Sequence, residues 1–229
     1  MNIPYFVIHT LFILLLLNIF GIIYSCLILF GNIYDKLRLQ TKPNILIYKE
    51  RFQVIFFNAF ILEPMFGLIG LCLFKNYFVD KFHIILTPIQ SIIILFIDDL
   101  WLYICHRIFH FNKFLFKKIH YFHHKALTPF PMDMHYIHPM EIFIIPLGTF
   151  LAFLLIQQVH IFALWIYVIV KTIHEQNVHS GLKSTIRIRI PLINKFLGTT
   201  EQHDLHHLKF KGNYSSMFKL FDLVFGTKI

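Results

Sequence analysis

Charge is what this chain has least of. Only 14% of its 229 residues are Asp, Glu, Lys or Arg, against 57% hydrophobic and 17% aromatic, where a soluble domain carries about a quarter charged residues. That balance excludes an ordinary water-soluble globule and reads as a membrane protein. Cysteine is scarce too. Cys26, Cys72 and Cys105 lie in or at the end of apolar segments, which argues against a disulfide framework and leaves them as small core residues. No glycine-rich phosphate loop is present, so the chain carries no nucleotide-binding fingerprint of its own. The HExxH signature of zinc proteases is missing as well: Glu175 follows His174, but His179 comes five positions after His174 rather than four. Repeats, low-complexity tracts and flexible linkers are absent. One domain is expected over residues 1–229, with 1–105 mainly a membrane anchor and 106–229 the histidine-bearing region.

Long apolar runs are what the chain does have. Residues 5–30 contain no charge, follow no basic segment and exceed a signal-peptide core, so they read as a retained transmembrane helix. A second span, 52–74, is interrupted by Glu63-Pro64, where the proline predicts a kink and the carboxylate needs a partner. The third, 84–103, ends in Asp98 and Asp99 and continues as the helix bearing His106 and His110. Lys36, Arg38, Lys42, Lys49 and Arg51 in the first loop outnumber Lys75 and Lys81 in the second, which places the first loop and the end of the third span in the cytoplasm. A single crossing by 142–170 would carry the last histidines to the opposite side. Pro146 and the polar set Gln157, Gln158 and His160 predict instead a re-entrant or short helical hairpin that returns. The expected fold is an all-α integral membrane protein with about three transmembrane helices, that hairpin and a cytoplasmic helical metal domain.

Histidine is in excess, with 15 residues. Side chains four apart share a helix face, so Asp99, Tyr103, His106 and His110 form one stripe. His120, His123 and His124 form another, and His203, His206 and His207 repeat its spacing. A triplet of the form HxxHH arises by chance about 0.06 times in such a chain. Clustered imidazoles repel when protonated and bury poorly together, so two such triplets point to metal. Spacing does not choose among iron, zinc, copper and nickel. His174 and His179 cannot project from one face of a regular helix; one belongs in a cap or bulge, with Gly181 as the helix stop. A membrane metal transporter or a metal-binding protein without oxygenase activity stays open. A transporter would place histidines at mid-span, where only His160 comes near.

With HRIFH, HYFHH, HPME, NVHSG, HDLHH, GNY and the terminal FGT in order over residues 90–229, the sequence resembles the fatty acid hydroxylase and sterol desaturase superfamily of membrane di-iron enzymes. Within it the C-4 methylsterol oxidases are the nearest in look. The resemblance implies metal ligands at His106, His110, His120, His123, His124, His179, His203, His206 and His207, with His174 as an auxiliary one. Residues expected to support the ligands are Asp99, on the His106 stripe, His138 and Glu141 of the HPxE motif, Asp133 and Asn177. His135 departs from the sterol oxidases, where an acidic residue is expected. The resemblance further implies two iron ions and hydroxylation, desaturation or stepwise oxidation of a sterol or fatty-acyl lipid by O2. Electrons would come from an external cytochrome b5, ferredoxin or NAD(P)H-dependent reductase, and the basic face of the chain would attract an acidic donor. Implied partners are the lipid bilayer, the lipid substrate and that electron-transfer protein, with no nucleic acid. The expected location is the endoplasmic reticulum of a eukaryote or the inner membrane of a bacterium, with the site on the cytoplasmic side.

Overall fold

The computed structural model describes residues 3–41, 45–184 and 195–229. Lys42, which the loop-charge argument counts, lies outside them. Helix α1 (Ile3–Phe30) is apolar throughout, and large side chains such as Phe12, Leu16, Ile23 and Leu27 stand exposed along it, as a lipid-facing helix requires. Its few polar groups are satisfied inside the protein: Asn18 donates to the Ala59 carbonyl at 2.9 Å and Ser25 to that of Gly21 at 2.7 Å.

Helix α2 (Ile45–Phe57) runs through a π-turn at Asn58–Leu62 into α3 (Glu63–Leu73). The kink expected at Glu63-Pro64 is therefore replaced by a widened turn just before it. Pro64 falls in the first turn of α3, where its missing N–H costs little. Asn58 in the widened turn donates to the carbonyls of His135 and Ile137 at 2.8 and 2.9 Å. Glu63 finds the partner its position demands in His135, Nδ1 to Oε1 at 2.6 Å.

Helix α4 (Leu86–Phe111) is the central one. Among the described residues, the helices long and apolar enough to cross a membrane are Tyr5–Phe30, Ile45–Leu73 and Pro139–Ile156. The third span expected at 84–103 is not among them; α4 carries the polar residues Thr87, Ser91, Asp98 and Asp99, which it buries against protein. Short helix α5 (Lys113–Leu115), a second π-turn at Phe116–His120, α6 (Tyr121–His124) and α7 (Pro139–Ile144) follow. Helices α8 (Leu147–Ile156) and α9 (Ile161–Val178) both pack on α4. Ile94, Leu95, Ala152, Phe153, Leu164 and Tyr167 form the core between them. Gly148 permits a close approach of α8 to α4, since a Cβ there would stand 2.9 Å from the Asp98 Cα.

The chain turns back between α8 and α9, as expected of a hairpin. Gln157 takes a positive φ of 62°, the strand Val159–His160 pairs in parallel with Phe78–Val79, and His160 caps α9 by accepting the Phe162 N–H at 3.2 Å. Near the base, Thr149 on α8 meets the Tyr167 hydroxyl on α9 at 2.7 Å and donates to Asp98 at 3.0 Å. Lys171 closes an ion pair with the same carboxylate. The arms are longer than expected, the first being long enough to cross.

Asp99 does not support a histidine. It accepts the backbone N–H groups of Met217 and Phe218 at 2.8 and 2.7 Å and so ties the C-terminal segment to α4. Of the cysteines only Cys105 is buried; Cys26 and Cys72 lie on exposed helix faces, so the expectation of core residues fails for those two. The chain ends with α10 (Thr200–Lys209) and α11 (Leu220–Val224).

Candidate metal centre

The clustered histidines stand at the ends of helices. The last turns of α4 carry His106 and His110. Asn112 then caps α5 by accepting from Phe114 and Leu115, which starts the segment bearing His120, His123 and His124. Helix α9 stops at Val178 with His179 in the cap, and Gly181 takes the left-handed φ of 66° that ends it. Helix α10, capped by Thr199, bears His203, His206 and His207.

These nine side chains form two groups. His106, His110, His120, His124 and His206 make one, and His123, His179, His203 and His207 the other; within each, the candidate ligand atoms lie within 4.8 Å of one another. The triplet expected to act as one stripe is thus divided. At about 100° per residue, position i+4 is displaced by about +40° and i+3 by about −60°, so the two diverge to opposite sides of the first. His120 and His124 serve the first group and His123 the second, whereas His203 and His207 serve the second and His206 the first. Each triplet therefore contributes to both.

Six of the nine rings are held by their outer nitrogen. His106 donates from Nδ1 to the Tyr214 carbonyl at 2.8 Å, His110 to Phe210 at 3.0 Å and His206 to Gly212 at 2.7 Å. His123 reaches Tyr136 at 3.3 Å, and His179 reaches Glu175 at 2.8 Å. A carbonyl can only accept, so in each ring the proton is on Nδ1 and Nε2 carries the lone pair. His120 does the same toward the Glu141 carboxylate at 2.8 Å. The inner nitrogens then face one another. His124 Nε2 is 3.0 Å from His110 Nε2 and 3.1 Å from His120 Nε2. His203 Nε2 is 3.0 Å from both His179 Nε2 and His207 Nε2. The Nε2 atoms of His106 and His206 are buried with no hydrogen-bond partner.

His124 and His203 each meet two such nitrogens and have at most one Nε2 proton to share, and Nε2 of His106 and His206 has no partner. Lone pairs are thus left converging in a buried space, which is repulsive unless a cation stands among them. Two nitrogens bound at about 2.1 Å and at right angles on one ion would be about 3.0 Å apart, the separation found here. The residues therefore fit a metal. Burial also keeps the rings neutral, bringing His123 down to about 3 and His179 to about 4. His106, His203, His206 and His207 are lowered by the same cause, reinforced in the last three by neighbouring imidazoles. No proton competes for the lone pairs at neutral pH.

The remaining candidates fall elsewhere. His174 lies outside both groups, its Nε2 3.0 Å from the Ser216 carbonyl. Asp133 pairs with Arg51 at 2.7 Å and accepts the Phe130 backbone N–H at 3.2 Å. His138 caps α7, accepting the Met140 N–H at 3.2 Å. Asn177 offers its backbone carbonyl to Thr200 Oγ1 at 3.0 Å. Glu141, which holds His120, is the one acidic candidate at the site. Sequence reasoning missed the carbonyls of Tyr136, Phe210, Gly212 and Tyr214, because any residue type offers a carbonyl; GNY at 212–214 was the only trace of them.

A cavity of about 310 Å³ adjoins the histidines. Leu14, Phe66, Gly67, Phe150 and Leu164 line it within the apolar helices, and His106, His120, His123, His179 and His203 complete its wall. The fatty acid hydroxylase family model matches residues 91–227. This chain belongs to the fatty acid hydroxylase family. Among its curated relatives, Methylsterol monooxygenase 1 of Gallus gallus is 32% identical over 186 residues, 77% of this chain and 60% of that protein. Methylsterol monooxygenase 1 of Rattus norvegicus is 36% identical over 137 residues, 58% and 44% of the two chains. Methylsterol monooxygenase erg25B of Aspergillus fumigatus is 34% identical over 147 residues, 62% and 49%. The chain thus spans roughly half the length of these relatives. No solved structure matches it.

Proposed function

We propose that this protein is a membrane oxygenase of a methylsterol or other sterol or fatty-acyl lipid, holding two iron ions, one in each histidine group. The observation that carries this reading is the convergence of imidazole lone pairs on the wall of an apolar cavity. Histidines at helix ends, rather than along a span, support an enzyme over a transporter. Bound iron would supply the activation of O2 that no side chain can provide. The chain's own residues do the rest. Carbonyls and Glu141 orient the rings, the apolar walls keep water from the reacting carbon, and the cavity presents a lipid to His106, His120 and His123. One oxygen atom enters a C–H bond and the other leaves as water, which takes two electrons and two protons from outside the chain.

The test is turnover by iron-loaded protein with a chemical reductant and 18O2, followed by mass spectrometry of the lipids. Label in a lipid alcohol is the expected result, and metal uptake without oxygen consumption would overturn it. Glu141→Gln should weaken metal retention about 10- to 100-fold, as loss of a partner behind a ligand does, whereas His174→Ala should retain the wild-type metal content after dialysis. A His174 variant that loses metal would place that residue among the ligands after all.

We place both groups on the cytoplasmic side, on the loop-charge argument. In a chain freed of its native cysteines, Lys125→Cys and Lys209→Cys should both react with an impermeant reagent from the cytoplasm. Reaction from opposite sides would break the shared site.

A further inference from the structure

The five-histidine group has a face that the apolar cavity does not use. There Phe116 lies 5.1 Å from His110 and Phe210 5.1 Å from His124, between ring centroids. Phe116, Phe210 and Tyr121 also meet one another, at 5.9 to 6.4 Å. They form a layer one ring thick, whose inner side rests on candidate ligands. Its outer side is open, Tyr121 being 44% and Phe210 36% exposed. Phe210 holds a left-handed φ of 56°, which a bulky residue adopts only at a cost and glycine adopts freely. That conformation turns its carbonyl to His110 while its ring covers His124, and such strain concentrates where function maintains it.

Charge frames the same layer. Lys117 and Lys118 follow Phe116, Lys209 and Lys211 flank Phe210, and all four are exposed. No Asp or Glu occurs between Asp99 and Asp133, nor between Asp204 and Asp222. The rim is therefore positive in both segments.

We propose that this aromatic layer with its lysine rim is the docking surface for an acidic one-electron carrier protein of the haem or iron–sulfur class. Phe116 and Phe210 would be the thin cover through which its electrons reach the metal held by His110 and His124. The inference rests on the oxygenase reading, which needs two electrons per turnover: two carriers dock in succession, and each is oxidised by one electron. A small patch with a charged rim suits such a brief encounter, in which the rim sets the association rate and its salt dependence. Lysines alone would equally suit an anionic membrane surface; aromatic rings stacked on ligand rings favour the carrier.

The test uses the full iron-loaded chain in phosphatidylcholine nanodiscs, with the reduced soluble haem domain of a cytochrome b5 as the probe. Stopped-flow absorbance reads its oxidation. Combined Lys117→Glu, Lys118→Glu, Lys209→Glu and Lys211→Glu should slow the second-order rate at least about 10-fold and flatten its decline with salt. Dithionite-driven lipid turnover should stay at the wild-type rate, which also certifies the fold. Should the quadruple variant not fold, Lys117→Glu with Lys118→Glu should give a smaller loss of the same kind. An unchanged haem-oxidation rate overturns the proposal, and so does a loss seen only in discs containing phosphatidylserine, which would assign the rim to lipid. Absence of dithionite-driven turnover in the wild type would sink the oxygenase reading instead, while haem oxidation would still decide the docking surface.

Discussion

Replacing His206 and His207 one at a time should damage two different sites, although the residues are neighbours on one helix. His206→Ala removes one of five imidazoles from the first group, and His207→Ala one of four from the second. Both rings are fully buried, so no solvent molecule arrives without opening the core. Turnover should fall below detection in each, because the proposed chemistry needs both ions. Metal content should separate them: His207→Ala, left with three rings, should drop from about two ions per chain to about one, and His206→Ala, left with four, should lose less. Both variants should still insert, since the apolar helices, not the metal, hold the chain in the bilayer. Elemental analysis of protein purified in the presence of iron reads the result. Loss of both ions in both variants would mean that the two groups are one site.

Arg51→Met should destabilise the protein by about 3–5 kcal/mol, the range for removing one partner of a buried ion pair. Asp133 has no exposed surface, and burial pushes its carboxyl up to about 7 even with the guanidinium beside it. Without Arg51 that carboxylate is stranded. The pair is also a tether, because Arg51 on α2 reaches the Lys125 carbonyl at 3.3 Å and lies over the Tyr136 ring at 5.5 Å. Lys125 follows His124, and Tyr136 holds His123. Thermal unfolding in detergent should show the loss, and Arg51→Met combined with Asp133→Leu should recover most of it. A double variant no better than the single one would show that the arginine stabilises through its packing and not through the pair.

What could be read from the sequence divides by physical cause. The apolar runs, the return of the hairpin at Gln157 and the histidine spacing were legible, because hydropathy and helical period are properties of the chain itself. The two HxxHH triplets announced a site able to hold metal, yet not its division, since the divergence of i+3 and i+4 splits a triplet between two groups only when partners on both sides exist to receive them. Asp99 misled for a related reason. It shares a stripe with His106, but the stripe runs along a helix that also contacts the C-terminal segment, and the backbone N–H groups of Met217 and Phe218 were nearer. The rim of carbonyls behind the rings left no mark beyond GNY at 212–214, because it is made of backbone.

Under the proposed reading, the division of each triplet between two groups has a consequence for how the protein matures. Neither α10 nor the 120–124 segment belongs to one ion, so filling either site draws both into place and prepares the other. The second ion would meet imidazoles whose ordering entropy the first has already met. Loading of the intact chain would then be cooperative, the first ion easing the second, while a chain with one group damaged would still hold a single ion in the other. The segments so clasped are distant in sequence, from residue 106 to residue 207, and closing those long loops is stabilisation that the apolar helices do not provide. The apo chain would be an inserted membrane anchor whose histidine ends are not yet joined, and iron would be the last piece of its tertiary structure as well as its reagent.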